Sequence, residues 1–226
     1  WEEIRKTVAK ANQPNDFVTF QTYEIHSRAY GDHHVVSTDD TLPLIYADDP
    51  KDLYQKLLPY DAILIPHHIA YTPGYRGIDW ENYDQEMSPV VEVYSKHGCG
   101  ISDTSAYPYL HTMGPRDSRN TAYAGILKGH KFGFIASTDH HAGYPGSYGD
   151  GRVAVLAKNK TRQSIMQALR ERHTYAVTGD KIQCFFEINK RLMGSEIVST
   201  DQRHIELQVK ACDAIDEMIV FKNLKP

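Results

Sequence analysis

The sequence has little of what marks several classes of protein. Its three cysteines, Cys99, Cys184 and Cys212, are widely spaced and form no Cys-x-x-Cys pair, so neither a disulfide framework nor a cysteine zinc site is expected. Apolar runs such as residues 62–66 and 131–136 are far too short to span a bilayer, which predicts no membrane segment. The net charge of −4 provides no basic footprint, which argues against nucleic-acid binding.

The overall composition is that of a globular protein. The chain has 226 residues, of which 41% are apolar and 24% charged, enough for one sizeable domain with or without an appendage. It begins at Trp1 within a helical pattern and stops after a strand-like run, which indicates a fragment or a processed chain. The odd cysteine count favours the cytoplasm, while a secreted or periplasmic location and a homo-oligomer stay open.

Histidine is the residue that needs an explanation. The chain has 12, and ten of them lie between His26 and His141. Imidazole nitrogens and carboxylate oxygens are ligands for zinc, manganese and iron, so this clustering predicts a divalent metal site. The alternative is a polar cleft of hydrogen-bonded histidines. Adjacent residues of a strand point to opposite faces, so at most one member of each His-His pair should serve the same ion, unless the pair lies in a loop.

Short apolar runs that end in polar residues suggest where such a site lies. Four runs predict buried strands, and each carries a carboxylate or histidine at or near its end: residues 17–23, 61–66, 89–94 and 132–136. Helical patterns alternate with them, at residues 49–58, 118–128 and 161–173. Alternating strands and helices favour a parallel sheet or barrel, with reactive residues at the strand ends. After Gly179, strand patterns without helices predict an antiparallel segment, at residues 182–189, 203–211 and 217–222.

Several motifs together resemble one family. Ser137-Thr-Asp139-His-His141 is similar to the Ser-Asp-x-His motif of the polymerase and histidinol phosphatase (PHP) superfamily, with one residue inserted before the Asp. Further matches in order indicate its branch known as domain of unknown function 3604: Tyr23-Glu24, Gly31-Asp-His33, Ile65-Pro-His67, Glu92-Val-Tyr-Ser-Lys-His97-Gly98 and Arg172-His-Thr-Tyr175-Ala-Val-Thr-Gly179.

The resemblance implies a fold and a metal cluster. The fold class would be α/β, a distorted (β/α)7 barrel of the TIM-like kind that is incomplete at its N-terminus, over residues 1–178, followed by a β-rich appendage over residues 179–226. Two or three divalent ions, zinc, manganese or iron, would be held by Glu24, His33, His34, His67, Glu92, Asp139 and His141. The superfamily's first His-x-His motif is missing from this sequence, and we expect it upstream of Trp1 if the chain is a fragment.

The function expected from these features is metal-dependent hydrolysis. Metal-activated water would attack a phosphoester of a small molecule, and His97 or His68 would protonate the leaving group. Hydrolysis of an amide, or a non-catalytic metal- or ligand-binding role, are the alternatives. An arginine beside the metals would favour phosphate, although arginines in loops, such as Arg76, are more often solvated surface charges.

Overall fold

Four helices and eleven strands make up the part of the chain that the computed structural model describes, residues 1–110 and 114–226. The helices are α1 Glu2–Ala11, α2 Pro50–Leu57, α3 Ala122–Leu127 and α4 Arg162–Arg170. The strands are β1 Gln21–Ile25, β2 His33–Ser37, β3 Ala62–Pro66, β4 Val90–Ser95, β5 Gly98–Cys99, β6 Gly133–Ala136, β7 Arg152–Val155, β8 Thr174–Val177, β9 Gln183–Ile188, β10 Arg191–Leu192 and β11 Ile205–Lys210.

Helices α2, α3 and α4 begin where the sequence provides capping residues. Asp49 accepts a hydrogen bond from the backbone N–H of Lys51 at the start of α2, where Pro50 occupies the first helical turn. Thr161 accepts one from the backbone N–H of Ser164 at the start of α4. Both starts agree with the sequence pattern. The predicted helix over residues 118–128 is shorter than expected, because a 3-10 turn at 118–120 precedes the Thr121 cap of α3.

The strands form four small sheets rather than one. β1, β2 and β3 are antiparallel neighbours in that order, and β4 lies between antiparallel β5 and parallel β6. β7 pairs with β8, and β9 lies between β10 and β11, both times antiparallel. Because β2 runs opposite to β1 and β3, those two strands are parallel to each other and their ends lie at the same edge.

An apolar layer fills the space between the first sheet and the β4–β6 pair. β3 is buried on both faces, which explains its continuous apolar sequence. Leu64 packs towards α2, whereas the alternate residues of β3 pack inwards with residues of β4, β6 and α4, in a cluster of Ile63, Ile65, Val90, Ile135, Met166 and Leu169. The polar residues at the strand ends pack directly above this inner layer.

The predicted barrel is wrong. The described residues form no closed barrel; they form small antiparallel and mixed sheets with four helices of six to ten residues. The physical reason is β2, which was not predicted. It inserts antiparallel between β1 and β3, where a barrel needs a crossover helix and direct parallel pairing. The correction applies equally to the TIM-like description.

The C-terminal region agrees with the sequence pattern only in part. β9 and β11 lie within the predicted strands, but residues 217–222 belong to no sheet. The predicted boundary at residue 178 falls between β8 and β9 and stays a prediction. Over the residues described, none of the helices is long and apolar enough to cross a membrane.

Candidate metal centre

The first sheet brings three polar side chains to one face. Glu24 pairs with His34 across β1 and β2, and His34 pairs with Ile65 across β2 and β3. Residues paired in this way project from the same face, so Glu24, His34 and Ile65 share one face of the sheet. His67 follows Ile65 by two positions and returns to that face. The His34 and His67 ring centroids are 4.0 Å apart, and His67 Nε2 lies 3.1 Å from Glu24 Oε1. These side chains continue the inner layer at the edge where β1 and β3 end.

The structure separates the two histidines of the first His-His pair. His33 is opposite Pro66 and faces away from His34, with its Nδ1 2.9 Å from the carbonyl oxygen of Gly31. Because adjacent residues of a strand face opposite sides, His34 faces Glu24 and His67, whereas His33 lies outside the site, although both were predicted ligands. In the second pair, His68 lies beyond the end of β3 with a positive φ of 33°, so the alternation of a strand does not apply to it. Its ring centroid lies 3.9 Å from that of His67.

Three buried atoms without hydrogen bonds converge beside the first sheet. They are Nδ1 of His67, Nε2 of His97 and Oδ2 of Asp139. Asp139 Oδ2 lies 3.0 Å from His97 Nε2 and 3.7 Å from His67 Nδ1, yet these contacts lack hydrogen-bond geometry. Buried polar atoms are almost always satisfied, so three that point together need a partner. A divalent ion with nitrogen and oxygen ligands fits this donor set.

Two further residues belong to this set, in two groups of potential ligands that share Asp139: His67, Glu92 and Asp139, and His97, Asp139 and His141. Because they share Asp139 we treat them together as the inner group: His67, Glu92, His97, Asp139 and His141. Glu92 lies on β4 two positions beyond Val90, so it points into the inner layer, and it accepts hydrogen bonds from Ser137 Oγ and from the backbone N–H of His68. His141 is 65% exposed and its ring centroid lies 5.5 Å from that of His97. His141 therefore stands at the open side of the group.

Burial and charge act against each other in the inner group. Burial opposes the charged form of Asp139, but the neighbouring imidazoles of His67 and His97 hold its pKa well below the usual range. Burial likewise opposes protonation of His67, whereas Asp139 and Glu24 raise its pKa to about 10. Burial raises the pKa of Glu92. The group thus holds negative charge that a proton on His67 compensates.

Asp139 has an unusual backbone conformation. Its φ is 47°, in the left-handed region that residues other than glycine rarely adopt. The residue follows β6, and this turn directs its carboxylate back over the end of the sheet towards His97. Strain of this kind is typical of functional positions.

A second set of potential ligands shares His67, and we call it the outer group: Glu24, Asp32, His67 and His68. Asp32 is the residue that sequence reasoning missed. Its side chain is fully buried, and His26, His68 and Arg76 all approach its Oδ2. Its position inside the Gly31-Asp-His33 segment, where only the histidine was considered, was the available signal. Arg76 was expected on the surface and instead lies in this group, with its side chain 21% exposed.

Three further histidines around the site, His33, His34 and His68, are neutral at neutral pH. Burial lowers the pKa of His34 to about 4, and that of His33 to about 4. Burial, together with the charge of His67, lowers the pKa of His68 well below the usual range. A neutral imidazole has a lone pair to offer, so His34 and His68 are in the form that binds metal.

A cleft of about 820 Å³ lies elsewhere, bordered by the end of α4 and residues 194–201. Several of its charged side chains are paired, since Arg172 contacts Glu196 and His173 contacts Glu171. Nothing there resembles the convergence of unsatisfied atoms in the inner group, so we place the candidate site at the strand ends.

Comparison with known proteins gives relatives without an assigned activity. No protein-family model matches the chain. It is similar to an uncharacterized protein of Chlamydia pneumoniae, 28% identical over 99% of this chain and 39% of the relative. Uncharacterized proteins of Chlamydia muridarum and Chlamydia trachomatis are each 26% identical over 76% of this chain and 30% of their own length. The chain thus spans well under half the length of these relatives.

Proposed function

We propose that the chain is a metal-dependent hydrolase whose centre is the inner group, and that it acts on a phosphoester of a small molecule. The observation that carries this proposal is the convergence of His67 Nδ1, His97 Nε2 and Asp139 Oδ2, all buried and all without a hydrogen bond. The order of motifs that resembles the PHP superfamily supports the same chemistry. The barrel that the resemblance also implied plays no part in the proposal.

The ligands would be His67, His97 and Asp139, with Glu92 beneath them and His141 at the open side. A divalent ion supplies two things at such a site: it lowers the pKa of a water molecule that acts as the nucleophile, and it polarises the bond to be broken. Zinc and manganese both suit three imidazoles and two carboxylates. The chain's own residues bind the ion, orient the substrate and move the proton.

Proton donation to the leaving group is assigned here to His26. His68 and His97 were the sequence candidates, but burial lowers the pKa of His68 and keeps it neutral, and His97 points its Nε2 at Asp139. His26 is 62% exposed, and its Nδ1 lies 2.9 Å from Asp32 Oδ2, which orients the ring. A histidine oriented by a carboxylate at the mouth of a site is the usual arrangement for general acid catalysis.

Arg76 favours a phosphoester over an amide. Its Nη2 lies 3.2 Å from His26 Nδ1 and 3.4 Å from His68 Nε2, so the guanidinium stands at the edge of the cluster. A fixed cation there stabilises the negative charge that develops on phosphoryl oxygens, and guanidinium suits that task. An amide substrate gains less from such a charge.

The first test is metal content. The 226-residue chain, purified without added metal or chelator, is expected to contain zinc, manganese or iron, or to take one up on addition. Asp139→Asn removes a ligand and is expected to abolish binding. Asp52→Asn makes the same change in an exposed ion pair with Lys56 and should leave binding intact.

Activity is tested next, with 4-nitrophenyl phosphate and bis(4-nitrophenyl) phosphate as phosphoester probes and 4-nitroacetanilide as the amide probe. Metal-dependent release of nitrophenol that Asp139→Asn abolishes would support the proposal. A chain that binds metal but hydrolyses none of the probes would favour a non-catalytic metal-binding module, and a chain that binds no metal would refute both.

A further inference from the structure

The outer group already contains a cation that belongs to the protein. Arg76 Nε and Nη2 lie 2.6 and 2.5 Å from Asp32 Oδ2, and the Asp32 side chain is fully buried. The other oxygen, Oδ1, accepts a hydrogen bond of 3.0 Å from the backbone N–H of Ser27. A metal ion that used Asp32 as a ligand would have to displace the guanidinium.

The backbone fixes Arg76 in this place. Its φ is 67°, and its backbone N–H donates to the carbonyl oxygen of Arg28. The following residue, Gly77, passes so close to Tyr71 that an added Cβ would lie 1.9 Å from the Tyr71 carbonyl oxygen. The Arg76 guanidinium carbon lies 5.8 Å from the centre of the Tyr71 ring. The turn that carries Arg76 is therefore built for close approach, and the side chain is not a loosely placed surface charge.

His67 can serve only one of the two groups. A neutral imidazole has one lone pair, and its other nitrogen carries the proton. The unsatisfied Nδ1 points into the inner group, and with an ion bound to Nδ1 the proton is left on Nε2, which lies 3.1 Å from Glu24 Oε1 and donates to it. Glu24 then orients a metal-binding histidine, an arrangement common around protein metal sites. The outer group loses His67 as a ligand.

His68 is engaged in the same way. Its Nε2 lies 3.4 Å from Arg76 Nη2, where a neutral ring accepts a hydrogen bond from the guanidinium. With Arg76 in place, Nε2 of His68 and Oδ2 of Asp32 both face the guanidinium, while Nδ1 of His68 is buried without a hydrogen bond. A second ion would therefore have to compete with Arg76 for both residues.

We propose that Arg76 is a built-in second cation, so that the protein binds one divalent ion, in the inner group, rather than the two or three that the resemblance implies. The inference rests on the proposed function only in assuming that the inner group binds metal. The guanidinium of Arg76 then provides the positive charge that a second ion would otherwise supply beside the ion of the inner group.

The test is the number of ions bound, measured with Mn²⁺ by calorimetric titration and by elemental analysis after removal of free ion. The wild-type chain is expected to bind one. Arg76→Gln removes the charge but keeps a hydrogen-bonding side chain, and it is expected to bind two, the second more weakly. Arg76→Lys keeps the charge and should still bind one. Circular dichroism shows whether each variant is folded.

The outcomes separate the two proposals. A wild type with two or more ions overturns the role of Arg76 and leaves the hydrolase standing, and this result needs no variant. If the wild type and a folded Arg76→Gln variant each bind one ion, the proposed role of Arg76 is likewise overturned. If Arg76→Gln does not fold, the number of ions bound by Arg76→Lys tests the proposal instead. Two ions in Arg76→Lys, which keeps the positive charge, would contradict the proposal that this charge replaces a second ion. No ion in the wild type refutes the metal centre itself.

Discussion

Individual atoms decide what each histidine of the cluster can do. His67 presents Nδ1 to the inner group and Nε2 to Glu24. In the proposed metal centre, the tautomer of this one ring would determine which carboxylates bind the ion and which orient a ligand. His33 and His34 are neighbours in sequence but face opposite sides of β2, and only His34 reaches His67. A change of one position in strand register would exchange them.

At the residue scale, Glu92→Gln separates stability from metal binding. Burial raises the pKa of Glu92, so its ionised form is disfavoured in the metal-free protein. We expect the metal-free variant to be as stable as wild type, or more stable by about 1 kcal/mol, while its Mn²⁺ affinity falls by roughly tenfold or more. Urea unfolding and calorimetric titration measure the two effects. A metal-free variant less stable than wild type by about 2 kcal/mol or more would contradict this account.

The sequence identifies most residues of the cluster but not their partners. Carboxylates and histidines that follow apolar strands are visible in a linear pattern, which is why Glu24, His67 and Asp139 could be predicted. Asp32 and Arg76 meet only after residues 67–79 fold back along the first sheet, so the sequence does not indicate that the two residues pair. The two residues are 44 positions apart, and a contact between two isolated charges at that distance leaves no periodic pattern in the sequence from which it could be predicted.

Among the elements, the strands that end at the cluster were predictable and β2 was not. β3 is a continuous apolar run because both faces are buried, and such runs are distinctive. β2 begins with His33 and His34, whose polar side chains hide its strand pattern, and one lies on each face of the sheet. The barrel prediction failed at this element, because an antiparallel strand between β1 and β3 leaves no place for a crossover.

At the element scale, two adjacent leucines test the packing of α2. Leu57 is completely buried against the first sheet, whereas Leu58, the next residue, is 52% exposed. We expect Leu57→Ala to lower the free energy of unfolding by about 2–5 kcal/mol because it leaves a cavity. Leu58→Ala should change it by less than about 1 kcal/mol. Equal losses in urea unfolding would show that α2 does not pack as described.

Two arginines of α4 provide a second test at this scale. Arg162 is buried and donates to the carbonyl oxygens of Thr19 and Thr38 and to Asp40 Oδ1 at 2.7 Å. Arg170, at the other end of the helix, forms an exposed pair with Asp61. Arg162→Met should cost about 1–3 kcal/mol, since three acceptors lose a charged donor that is itself buried, and Arg170→Met less than about 1 kcal/mol. Losses in the reverse order in urea unfolding would exclude Arg162 as the residue that fastens α4 to the first sheet.

The same contact predicts a dependence on pH. Burial opposes ionisation of Asp40, but Gln21 and Arg162 hold its pKa below the usual value. A carboxyl group with a lowered pKa stabilises the fold above its unfolded-state pKa of about 3.9, and that contribution is lost as the pH falls through the folded-state value. The stability difference between wild type and Asp40→Asn should therefore be constant at neutral pH and shrink in acid. A difference that grows in acid would exclude the pairing.

For the whole molecule, metal binding should appear as thermal stability. An ion that binds only the folded chain, at about 100 times its dissociation constant, adds about 2.7 kcal/mol, which for this size raises Tm by roughly 5–10 °C. We expect Mn²⁺ to raise Tm of the wild type by this amount and EDTA to reverse it. Asp139→Asn should show no shift, and a shift of equal size in that variant would place the bound ion elsewhere.

The ligands of the inner group come from segments that are far apart in the chain. His67 follows β3, Glu92 and His97 flank the end of β4, and Asp139 follows β6. No short stretch contains enough of them to hold an ion, so a nascent or unfolded chain has no site to fill. Such distant pairing is slow to form, because each long loop must close before its contacts are gained. Metal uptake therefore reports the completion of folding, and its rate after dilution from urea should follow the last folding phase rather than the first.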